Sequence, residues 1–260
     1  MLIPLLMSLL ANSPEPVVTP PLPFPIVQDD GEIEDKRPLI KEKLEAFKEH
    51  IGKRGDQDAE AIAIMDSMIQ EWPMCGPKDR GSITKALGKC FDQKRQELSE
   101  GIPNNRLYLA AAVALGEMGE FASPILTKCI DNKKHRRNLP LRRTLVLSLG
   151  KTKDLDVVDD LVDLINDKDY IIVASTAEAL GEFKEAPEKV RKEIFNELMK
   201  ILVTLKAIKD GDINDIAARE KWDVVSAPII TTLQDLSGHD ETQPEAWQHW
   251  WNKNKKKDWE

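Results

Sequence analysis

The segment AAAVALGEMGE, residues 110–120, runs through small side chains and stops abruptly at Leu115-Gly116. The same ending recurs in TLVLSLGKTKD (144–154) and in STAEALGEFKE (175–185). Aligned on the terminal glycine, DRGSITKALG ends at Gly88, LYLAAAVALG at Gly116, LRRTLVLSLG at Gly150 and IVASTAEALG at Gly181. The intervals are 28, 34 and 31 residues, a period that signals stacked helical repeats. Before each glycine stands a leucine (Leu87, Leu115, Leu149, Leu180), and before that a small residue (Ala86, Ala114, Ser148, Ala179). Leucine fills the space between helices, and the small residue lets backbones approach. The glycine is expected to adopt the left-handed conformation that closes a helix, which makes Leu-Gly the corner of a repeat.

Between these segments lie further helical stripes. One contains Ile125, Leu126, Cys129 and Ile130; the next runs from Val157 to Ile165; the third holds Val190, Ile194, Leu198, Met199 and Leu202. Upstream, Ile40, Leu44, Phe47 and Ile51 advance by steps of four, three and four, the stripe of an amphipathic helix. No stretch alternates as a strand does. A helix pair cannot bury both its faces alone, so the pairs must stack. The expected fold is all-α, an α-α superhelix over residues 36–238.

LRRTLVLSLGKTKD resembles the HEAT-like repeats of bacterial proteins named after phycobilisome lyases, whose pattern runs apolar-Arg-Arg, small residues, Ala-Leu-Gly. The resemblance covers residues 107–205 well and 36–106 less closely. It implies a protein-binding solenoid, a non-enzymatic scaffold. The alternative is an accessory enzyme on the same fold, of the bilin-lyase or DNA-glycosylase kind. Tyr108 and Val173 stand where the pattern has Arg80 and Arg142. No continuous arginine ladder results, and lyase activity is not carried over.

Composition narrows the function. The 260 residues carry a net charge of −8, which argues against a protein that coats nucleic acid. Residues 1–13 have the short apolar core and small residues of a signal peptide but no basic residue ahead of it. The expected location is therefore periplasmic or secreted, with the cytoplasm as alternative, and the run is too short to span a membrane. Residues 14–35 form a Pro-rich acidic linker in which Asp29, Asp30, Glu32, Glu34 and Asp35 keep the chain solvated. Cys75, Cys90 and Cys129 form no CxxC pair and read as three buried thiols, with a Cys90–Cys129 bridge as the other reading.

The densest basic segment, NKKHRRNLPLRR, supplies Lys133, Lys134, Arg136, Arg137, Arg142 and Arg143. They are the candidate partner-binding residues, directed at an acidic protein. No catalytic set, cofactor motif or metal-ligand pair emerges. GHDETQPEAWQH gathers two histidines and three carboxylates, but Thr242 and Glu245 fit a helix capping box better. Residues 239–260 close the chain with an EAWxxWW module, in which Trp247, Trp250 and Trp251 share one helix face. They are expected to cap the array by packing on a helix around Trp222–Leu236.

Overall fold

The structure is a computed structural model that describes residue 33 and residues 35–259. Residues 1–13, read as a possible signal peptide, and most of residues 14–35 lie outside the described residues. Among those described there are eleven α-helices and no strands. They are α1 (Pro38–Ile51), α2 (Asp58–Glu71), α3 (Pro77–Gly88), α4 (Arg106–Gly116), α5 (Ser123–Ile130) and α6 (Leu139–Lys151). Then follow α7 (Val158–Leu164), α8 (Tyr170–Gly181), α9 (Glu188–Gly211), α10 (Ile216–Ser237) and α11 (Pro244–Asn254). No described helix is long and apolar enough to cross a membrane.

Several helices begin with proline in the first turn, as in α1, α3 and α11, where its missing N–H costs nothing. Asp35 belongs to the folded part rather than to a solvated linker. Its Oδ1 accepts the N–H groups of Lys78 (2.9 Å) and Asp79 (3.2 Å) at the start of α3. Asp79 in turn accepts the Arg37 N–H, and the Arg37 guanidinium reaches Glu71 at 2.7 Å. The chain is stapled down at this point.

The helices pack as adjacent pairs in two series. In one, α2 packs on α4, α4 on α6, α6 on α8 and α8 on α10; in the other, α1 packs on α3 and α3 on α5. Leu115, Leu149 and Leu180 are fully buried in the first series. Gly88 belongs to the second, so its interval of 28 crosses from one series to the other rather than marking a repeat.

The glycines correct a second expectation. Gly181 is right-handed helical, with φ −64° and ψ −24°, and neither Gly116 nor Gly150 has positive φ. Their role is close approach. A Cβ on Gly116 would lie 3.0 Å from the Ser148 backbone, and one on Gly150 only 2.5 Å from the Ala179 carbonyl oxygen. A Cβ on Gly181 would meet Thr232 Oγ1 at 3.1 Å. Each glycine receives the next helix of its series, twice at the small residue that precedes the next Leu-Gly.

At the C-terminal end α11 packs on α9, not on α10 as expected. Phe195 of α9 is the hub, with ring centroids of Trp247, Trp250, Trp251 and Trp259 at 5.5, 5.4, 5.2 and 5.2 Å. Trp247 is fully buried, while Trp250 and Trp251 are half-buried. The basic tail returns to the body. The Lys257 carbonyl accepts from Lys192 at 2.6 Å, and Trp259 lies against Arg191 and Lys192. The capping box is absent: Gln243 is the N-cap without a side-chain bond, and Glu241 accepts the Thr242 and Gln243 N–H groups instead.

Candidate functional site

Two loops meet beside the starts of α4 and α6. The first, residues 93–105, follows a 3-10 turn (Lys89–Asp92) at the end of α3; the second, residues 131–138, follows α5. They are locked by side-chain hydrogen bonds to backbone carbonyls and by an amide pair across the junction. His135 is buried, and its Nε2 lies 2.7 Å from the Phe91 carbonyl. A carbonyl only accepts, so Nε2 carries the proton. The Tyr108 hydroxyl donates to the Gln93 carbonyl. Asn105 and Asn138 exchange amide hydrogen bonds of 3.0 and 2.7 Å across the junction.

Beneath the first loop, Arg95 Nε lies 3.1 Å from Asp58 Oδ1, with both side chains almost wholly buried. The guanidinium carbon also stands 5.9 Å from the Tyr108 ring centre. This pair anchors the loop from below, and Arg95 also reaches the lining of the cleft above it.

The junction leaves a cleft of about 630 Å³, within the range of ligand pockets. Its floor is aromatic, formed by Phe91, Tyr108 and His135, whose rings lie 5.3–6.3 Å apart. Its rim carries Lys94, Lys134 and Arg137, against the carboxylates of Asp92 and Glu97. Burial pushes the Tyr108 hydroxyl above its ordinary pKa, which keeps it a neutral donor.

The six basic residues expected to bind a partner separate into distinct environments. Lys134 and Arg137 line the cleft, with Lys134 3.8 Å from Asp92. Lys133 and Arg136 are exposed outside it. Arg142 is a correction: it is buried, and its guanidinium binds Asp167 at 2.6 Å and Asp169 at 3.7 Å. It ties α6 to the loop before α8 and has no face left for a partner. Burial works to raise the Asp167 carboxyl, but the hydrogen bonds from Arg142 and the Asp169 N–H, with the Arg142 charge, outweigh it and hold the group below its usual value. Arg143 lies 3.4 Å from Glu178 on the exposed side of α6 and α8.

Lys94 and Tyr108 of the cleft were not singled out as binding residues by their spacing, since the site is assembled from segments some forty residues apart. Tyr108 was visible only as a departure from an arginine pattern. The structure gives the reason for the aromatic ring: it floors the cleft, whereas Arg80 lies over the Trp72 and Phe121 rings and Arg142 makes a buried ion pair. Elsewhere, His239 stacks on Trp250 with centroids 5.1 Å apart, and no group of three or more metal-ligand side chains gathers among the described residues. The three cysteines are free and buried. Burial pushes Cys90 and Cys129 up to about 12.

No family model, curated protein or solved structure matches the chain.

Proposed function

We propose that the chain is a non-enzymatic scaffold, a HEAT-like α-α superhelix whose surface binds another protein, and that the basic cleft receives an acidic segment of that partner. The observation that carries the reading is the cleft itself. Lys94 and Arg137 stand on its rim without an ion pair among the described residues, and Lys134 is engaged only at 3.8 Å. A partner's carboxylates meet complementary charge there, and the aromatic floor supplies contact area at low entropy cost.

The close approaches at Gly116, Gly150 and Gly181 support the superhelical reading, because they join consecutive helices of one series by the same device. The tryptophans around Phe195 support a cap, which the end of a repeat array needs. The raised Cys90 and Cys129 thiols supply no thiolate near neutral pH, which favours binding over nucleophilic chemistry. From the apolar start of the sequence we place the protein outside the cytoplasm.

Calorimetric titration with an oligoglutamate peptide and its oligoglutamine counterpart tests the reading. The glutamate peptide alone is expected to bind, more weakly as salt rises. Arg137→Glu or Lys134→Glu should weaken it about tenfold, because each reversal sets a like charge against the peptide carboxylates. Absence of binding at low salt would sink the proposal.

A further inference from the structure

The cleft has a counterpart on the same molecule. On its rim, residues 93–105 fold back through a bond from the Leu98 N–H to the Ile102 carbonyl (2.9 Å) and another from the Ile102 N–H to the Ser99 carbonyl (2.9 Å). This turn holds Leu98 71% and Ile102 54% exposed, beside the basic rim. The counterpart is the turn between α9 and α10. These helices have 24 and 22 residues, yet the last buried position of α9 is Leu205 and the first of α10 is Val225. The end of the hairpin lies beyond the core.

That end reads DGDINDI from Asp210 to Ile216, three aspartates and no basic residue. Ile213 is 78% and Ile216 63% exposed. The turn is pre-ordered: Asp212 Oδ1 accepts the Asn214 N–H at 2.8 Å, and Asp215 Oδ1 accepts the Ala218 N–H at 2.9 Å. Neither Asp212 nor Asp215 has an ion-pair partner among the described residues. Of the nearby cations, Lys206 pairs with Asp210 and Lys209 lies over the Trp222 ring, while the exposed Arg219 stands one turn into α10.

We infer that the acidic hairpin end of one copy docks in the basic cleft of a second copy of this chain. The inference rests on the cleft being the acid-binding site argued above. Each patch pairs two exposed apolar side chains with a net charge, and the signs are opposite: aspartates dominate the hairpin end, and on the cleft Lys94, Lys134 and Arg137 outnumber Asp92 and Glu97. Docking takes Leu98, Ile102, Ile213 and Ile216 out of water together and sets Asp212 and Asp215 against Lys94 and Arg137. The turn is already held in shape, so little conformational freedom is lost. Because the two patches differ, the contact is heterologous, and every docked copy still offers one free patch. Open chains follow, or closed rings, of which the smallest is a reciprocal dimer with each hairpin end in the other copy's cleft.

Sedimentation velocity of the full chain tests this across rising concentration at low and high salt. The expected result is association that grows with concentration and weakens with salt. Ile213→Asp and Arg137→Glu, both at exposed positions, should each weaken it at least about tenfold without shifting the melting temperature. Mixing these two variants is the discriminating step. One intact cleft meets one intact hairpin end, so a heterodimer should form and nothing larger.

A chain that stays monomeric throughout, single variants that associate like the parent, or a mixture that stays monomeric would each overturn the inference. Oligoglutamate binding, measured on the same samples, separates it from the reading beneath it. A monomer that binds the peptide through Arg137 keeps the acid-binding cleft and loses only the self-association. A monomer that binds no peptide loses both.

Discussion

Of Gly116, Gly150 and Gly181, Gly150 has the least room. An alanine there would drive its Cβ to 2.5 Å from a backbone oxygen of α8, and backbone cannot rotate away. Gly150→Ala is expected to destabilise by about 1–3 kcal/mol through overpacking, despite alanine's better helix propensity. Gly181 faces the hydroxyl of Thr232 at 3.1 Å, a side chain that can shift, although it donates to the Ala177 carbonyl at 2.7 Å. There the propensity gain of about 1 kcal/mol should nearly cancel the strain. Chemical denaturation of the two variants checks the order.

Arg142 and Asp167 give a pH-dependent counterpart. The Asp167 carboxyl titrates lower in the folded chain than in the unfolded one. Its contribution is complete above the unfolded value of about 3.9 and is lost as pH falls through the lower folded value. Asp167→Asn should therefore lose stability at neutral pH and show a shallower acid limb below about pH 4. An unchanged acid limb would mean that the ion pair contributes nothing to the linkage.

At the scale of the element, Leu115, Leu149 and Leu180 each belong to a helix that touches the next in its series. Truncation to alanine should cost about 2–5 kcal/mol apiece, read by urea unfolding. Trp247 is fully buried against Phe195, and Trp247→Ala should cost about 3–5 kcal/mol. Deleting everything after Asp240 should lower the melting temperature and expose Phe195. A truncated chain that melts like the parent without aggregating would show that α11 does not serve as a cap. Helix type was legible in the sequence because apolar spacing of three and four leaves one buried face. Membership of a series was not. Glycine serves both left-handed turns and close contacts, so Gly88 resembled Gly116 while doing its work against Ile125 of α5. The partner of α11 was equally hidden, because α9 and α10 both offer apolar stripes and only Phe195 decides between them.

Across the whole molecule, the cleft is the part that local sequence hid most. The cluster of basic residues from Lys133 to Arg143 was plain, but its division was not: Arg142 turns inward because acidic residues more than twenty positions later wait for it. Tryptophan is distributed just as unevenly. Of the six, only Trp72 lies before residue 222, and four crowd one phenylalanine at the far end. Emission from this protein is consequently a local signal, while circular dichroism sums over every helix. Where helix pairs pack mainly on their neighbours, the ends can part from the middle. Followed by both probes in urea, a chain that unfolds all at once gives superimposable curves. If the C-terminal end lets go first, fluorescence will change while most of the ellipticity is intact, and the gap between the midpoints will measure how far the cohesion of one helix pair reaches into the next.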